Sequence, residues 1–110
     1  MSEADLGQLV AKAREMQSRL AELQRELAQR RVEGSAGGDM VTAVATGELR
    51  ILELRIEPSL LESGDREMIQ DLTTAAVNAA LNNAQKMIQE ELQRVTGGMA
   101  VPTPFPLGGG

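Results

Sequence analysis

Apolar residues fall at Leu6, Leu9, Ala13, Met16, Leu20, Leu23 and Leu27, in strictly alternating steps of three and four, and this seam constrains the chain more than any other feature. Only an α-helix keeps such positions on one face. The residues between them are mostly Ala, Glu, Gln and Arg, good helix formers, with no proline and no glycine after Gly7. The spacing predicts one long helix over about residues 5–31. Glu15 and Arg19, and likewise Glu26 and Arg30, place an acid four residues before a base, an orientation that adds roughly 0.2–0.5 kcal/mol per pair. The seam spans about three heptads, enough for a coiled coil with another chain or for a stripe packed on the chain's own sheet and last helix.

Beyond the helix, Gly34-Ser35-Ala36-Gly37-Gly38-Asp39 reads as a turn-rich loop, and Met40 to Thr46, rich in β-branched residues and without helical period, as a strand. Gly47-Glu48 turns the chain into Leu49 to Glu57. There Leu52, Leu54 and Ile56 alternate with Glu53, Arg55 and Glu57, which predicts one buried and one wet face. Val32-Glu33 supplies a short third strand of an antiparallel meander, and Pro58 ends the sheet. Ser59-Leu60-Leu61 makes one helical turn, and Ser63-Gly64-Asp65 caps a second long helix over about residues 66–96. Ile69, Leu72, Ala76, Val77, Ala80, Leu81, Ala84, Ile88, Leu92 and Val95 keep its apolar period. A small-residue centre at Ala75, Ala76, Ala79 and Ala80 lets another helix or a sheet approach closely. Met16, Met40, Met68 and Met87 read as core gap-fillers. The layout is α+β: a long N-terminal helix, a small antiparallel three-stranded sheet and a long C-terminal helix. Residues 1–97 are expected to form one domain and 98–110 a disordered Pro/Gly-rich tail.

A chain of 110 residues supports one core, and Phe105 is its sole aromatic, so that core is aliphatic. A monomer of this size with so many alanines buries limited apolar surface, which makes a homodimer the default expectation. Cys and His are absent, excluding disulfides, the usual zinc sites, thiol nucleophiles and imidazole bases. Glu53 and Glu57 share a wet strand face, while Asp65, Glu67 and Asp71 suit a helix dipole. No nucleophile or motif accompanies them, so no catalytic residue, cofactor, metal or small-molecule substrate is assigned. No apolar run has membrane-spanning length, and Glu3 and Asp5 are unlike the basic start of a signal peptide, so the expected location is the cytoplasm. The net charge of −5 is unevenly spread: +1 over residues 1–31, −4 over 32–64 and −2 over 65–96. Such asymmetry is what a local binding surface on an acidic body looks like.

Taken in order, several pieces carry a resemblance. They are Leu6-Gly7-Gln8-Leu9 with Met16-Gln17 behind it, the glycine loop from Gly34 to Met40, and Ile56-Glu57-Pro58-Ser59-Leu60-Leu61. After these come Leu72 to Leu81 with Ala75-Ala76 and Asn78, and Gly97-Gly98-Met99. Over nearly its whole length the chain resembles the YbaB/EbfC nucleoid-associated proteins. The resemblance implies a dimer whose long helices project from a shared sheet layer like the arms of tweezers, and binding to duplex DNA with little sequence preference. It also implies a place in the nucleoid. The favoured reading of the seam is then a partial pairing of the two long helices within the chain, with the dimer joined near the sheet.

Candidate phosphate contacts on the first helix are Lys12, Arg14, Arg19, Arg25, Arg30 and Arg31, along a rod of about 40 Å. Lys12 and Arg19 share a stripe, whereas Arg14 and Arg25 point elsewhere. On the last helix, Lys86 and Arg94 lie among Asn82, Asn83, Gln85, Gln89 and Gln93, with Glu90 and Glu91 beside them. As residues alone these cations read first as solvated helix charges tied up with Glu15, Glu22 and Glu26; the resemblance reverses that order. The alternative is a protein-interaction module that docks through the heptad helix and does not bind DNA.

Overall fold

The Ser2 hydroxyl accepts a hydrogen bond from the Asp5 backbone N–H and opens the helix that the seam predicts. The computed structural model describes residues 2–95, in the order α1 (Glu3–Gln29), β1 (Arg31–Ala36), β2 (Val41–Thr46), β3 (Ile51–Ile56), α2 (Pro58–Ser63) and α3 (Arg66–Val95). The expected tail, 98–110, lies outside the described residues. α1 stops two residues earlier than expected: Arg30 is its extended C-cap and Arg31 already belongs to β1, so neither cation stands on the helix.

The three strands form an antiparallel meander in the order β1-β2-β3. β1 is longer than the expected Val32-Glu33 because Gly34, Ser35 and Ala36, read as loop, continue the strand opposite Ala43, Thr42 and Val41. The reason is contact rather than propensity. A Cβ at Gly34 would lie 2.6 Å from both Ala79 C and Ala80 Cα, so glycine here lets the strand touch the backbone of α3. Left-handed backbone at Gly37, Gly38 and Asp39 then makes the turn into β2.

Val41, Ala43 and Ala45 on β2 face Ala76, Ala80 and Ala84 on α3, and Leu60 from α2 completes this buried cluster. The small-residue centre of the last helix is therefore the seat of the sheet. Asp65 caps α3 by accepting from Met68 N–H at 3.0 Å, while its own N–H donates to the Ser63 hydroxyl at 3.2 Å. Asp65→Ala should cost about 1 kcal/mol, readable as a lower urea midpoint with an unchanged slope.

Two expectations about burial do not survive. α3 lies over β1 and β2 and scarcely reaches β3. Leu54, which pairs with buried Ala43 and so shares its face, is consequently 43% exposed. A bulge sets Glu53 opposite Val44 and Ile51 opposite Ala45, so Leu52 is the extra residue and Ile51 takes the inner place that alternation gave to Leu52. The long helices do not lie along one another either. Leu23 and Leu27 are buried where α1 meets β2, and the Leu27 carbonyl accepts from Gly47 N–H at 3.0 Å. Ahead of them Leu6, Leu9, Val10 and Met16 are each about half exposed. Met16 and Met68 are thus surface residues, whereas Met40 packs against the core and Met87 is half-buried. The result is an elongated body, 73 × 27 × 16 Å, with a radius of gyration of 20.0 Å against about 13 Å for a compact chain of this length.

Candidate nucleic-acid interface

Along α1, Lys12 and Arg19 fall within about 20° of one another around the helix axis, as do Arg14 and Arg25, at 100° per residue. The two pairs form separate stripes on either side of the exposed apolar seam. Arg19 Nη2 donates to Glu15 Oε1 at 3.0 Å, the pairing the sequence predicts, with both side chains well exposed. Such a pair is worth about 0.3–0.5 kcal/mol, too little to keep Arg19 from a phosphate. Lys12, Glu15, Met16 and Arg19 line a shallow depression on this arm.

The predicted pair of Glu26 with Arg30 is not made. Extended backbone at the C-cap carries Arg30 off the helix track, and its Nη1 lies 3.0 Å from Glu91 Oε1 on α3. Arg94 Nη2 takes the other oxygen of the same carboxylate, Oε2, at 2.7 Å. Two of the eight sequence-derived cations thus converge at the root of α1, tied to one acid. Arg31 is exposed on β1 and pairs in register with Thr46, on the face away from α3. Lys86 is exposed on α3. Among the described residues Lys12, Arg14, Arg25, Arg31 and Lys86 carry no ion pair, and neither does Arg66 at the start of α3, a cation the sequence reading left out.

The outer face of the sheet has the opposite character. Arg55 Nε donates to Glu53 Oε1 and its Nη2 to Glu33 Oε1, each at 3.1 Å. Glu53 first and Glu33 second, by hydrogen bonding and by charge, make the guanidinium still harder to deprotonate than usual. Held by two carboxylates, Arg55 has little charge left to offer a phosphate. Around it Glu33, Ser35, Asp39, Thr42 and Glu57 line an acidic hollow that repels DNA. Sequence reasoning missed this triad and the pairing of Arg30 with Glu91. Cross-strand parity could have put Glu33, Glu53 and Arg55 on one face, whereas the pairing of Arg30 with Glu91 depends on where α1 stops. Among the described residues no helix is long and apolar enough to cross a membrane.

The YbaB/EbfC DNA-binding family profile matches residues 1–99 of the chain. A nucleoid-associated protein of Caldanaerobacter subterraneus subsp. tengcongensis is 40% identical over 101 residues, covering 92% of this chain and 91% of the relative. One from Acetivibrio thermocellus is 44% identical over 95 residues, covering 86% and 84%. A crystal structure of an uncharacterized Helicobacter pylori protein shares the fold, with a TM-score of 0.56 at 24% identity, over 80% of this chain and 98% of that one.

Proposed function

The chain belongs to the YbaB/EbfC DNA-binding family, and from that premise we propose that it binds duplex DNA as a homodimer, largely without sequence preference, as a nucleoid-associated protein. The family and the relatives' names point to DNA and the nucleoid rather than to catalysis. The observation that carries the finer reading is the N-terminal length of α1, which projects from the sheet ahead of buried Leu23 and Leu27. Lys12 and Arg14 on that length and Arg25 at its root carry no ion pair among the described residues, and none of the three lines the acidic hollow. Cations spread along a rod can follow a phosphate backbone, whereas base readout needs donors and acceptors converging on one groove edge. Arg19 and Lys86 extend the surface, whereas Arg31 stands on the outer sheet face and Arg30 and Arg94 stand at the root of the arm, each paired with Glu91.

A second copy is called for by the apolar surface that one chain leaves bare, namely the α1 seam from Leu6 to Leu20 and the β3 residues Leu52 and Leu54. Two-fold pairing would cover it and bring two arms to one duplex. The competing reading, a protein-interaction module without DNA, is favoured by the same half-exposed seam. Fluorescence anisotropy of a labelled duplex of ordinary sequence separates the two. The wild-type protein should bind saturably at low salt and weaken as salt rises. In Lys12→Gln/Arg14→Gln/Arg25→Gln the slope of log K against log salt should fall by about 2.7 for each engaged arm, at about 0.9 per lost phosphate contact. No binding by the wild-type protein at low salt would rule DNA out and leave the interaction module.

A further inference from the structure

Glu91 sits in the last turns of α3, where a negative charge opposes the helix dipole. Its side chain is recessed, 15% exposed, and its two oxygens are taken by guanidiniums from different elements: Arg30, in the link between α1 and β1, and Arg94, one turn further along α3. The arginines are the more exposed partners, at 43% and 76%. Each turns one nitrogen to Glu91, and a guanidinium has five N–H donors, so the rest remain available. A carboxylate and a phosphodiester are both singly charged oxyanions that a guanidinium grips with the same fork.

We propose that Glu91 is an internal competitor for DNA phosphate: it occupies the anion position between Arg30 and Arg94, repels an incoming phosphate, and sets the protein's DNA affinity below what its cations would give. The inference rests on the DNA-binding reading above. Glu91 is the affinity-determining residue at the arm's root, and Arg30 and Arg94 are phosphate contacts held in reserve. Any change that neutralises this carboxylate turns two silent arginines into contacts.

The test compares Glu91→Gln with Glu90→Gln in the same anisotropy titration on full-length protein. Glu90 is the exposed neighbour and makes no ion pair among the described residues, so its variant removes the same charge without releasing a guanidinium. Glu91→Gln should bind at least about tenfold tighter at low salt, with a slope steeper by about 1.8 for each engaged arm, from two added contacts. Glu90→Gln should gain less than about threefold, with the slope unchanged. In an Arg30→Gln/Arg94→Gln background, adding Glu91→Gln should do no more than Glu90→Gln does. If Glu91→Gln merely matches Glu90→Gln, or binds more weakly than the wild-type protein because the carboxylate positions the arginines, the competitor role is overturned while DNA binding stands. If neither the wild-type protein nor Glu91→Gln binds, the DNA reading itself has failed and takes this inference with it.

Discussion

Gly34→Ala should unfold the protein or cost it about 3 kcal/mol or more, the upper end of what one added methyl does in a packed core. The new Cβ would collide with backbone, at the Ala80 amide nitrogen and 2.6 Å from Ala79 C and Ala80 Cα. No side-chain rotation relieves that. Retreat of α3 would separate Ala76, Ala80 and Ala84 from Val41, Ala43 and Ala45, opening the cluster that defines the body. With Phe105 as its only aromatic the chain has no useful fluorophore, so far-ultraviolet circular dichroism in urea is the readout. Two other glycines calibrate it. Gly7→Ala, in α1 with nothing within 4 Å of its Cβ, should leave the protein unharmed or slightly stabilised. Gly38→Ala meets nothing but sits at φ 62, and should lose about 1 kcal/mol through backbone strain alone. A Gly34→Ala variant that melts like the wild-type protein would mean the sheet does not rest on α3 at this distance.

The second large effect concerns assembly. Leu9→Glu/Met16→Glu/Leu20→Glu should convert the proposed homodimer into a monomer at micromolar concentration while preserving helix content. In the single chain these side chains are already 52%, 50% and 37% exposed, so charging them costs the protomer little. Covering what remains is worth roughly 1 kcal/mol per residue, counted on both protomers. The dissociation constant should therefore rise more than about a thousandfold. Sedimentation velocity of both proteins decides it. A wild-type protein that sediments as a monomer at micromolar concentration would sink the two-armed arrangement, and a triple variant that stays dimeric would move the contact from the seam to β3.

Much of this architecture is written in local chemistry. Seam spacing yields α1 to within about two residues, Asp65 announces the start of α3, and the alanine pattern foretells a close neighbour. What could not be read depends on distant contacts. Gly34 in isolation signals a turn, and only its closeness to Ala79 and Ala80 makes it strand. Alternation at Leu52, Leu54 and Ile56 is genuine, but a helix about 10 Å wide cannot cover three strands, and a bulge shifts the parity at Leu52. For the candidate interface the cations were legible as residue types, but their availability was not. Sequence spacing pairs Arg30 with Glu26 four residues back, whereas Glu91, 61 positions away, holds it. Seam residues such as Met16 look alike in sequence whether they face their own core or await another chain.

The two margins of the sheet are finished differently. On the β1 side α3 packs heavily against the strand, and the Asn83 side-chain amide donates to the Glu33 carbonyl at 2.8 Å. Among the described residues β3 has only β2 beside it. Of the two margins, β3 is therefore the more open to a further strand. A sheet open at both margins could add copies indefinitely and run into fibres, whereas one with a single open margin is exhausted once two copies meet there. The proposed homodimer, joined at β3, would count to two and stop, leaving any longer array to be spaced by the DNA lattice rather than by protein stacking.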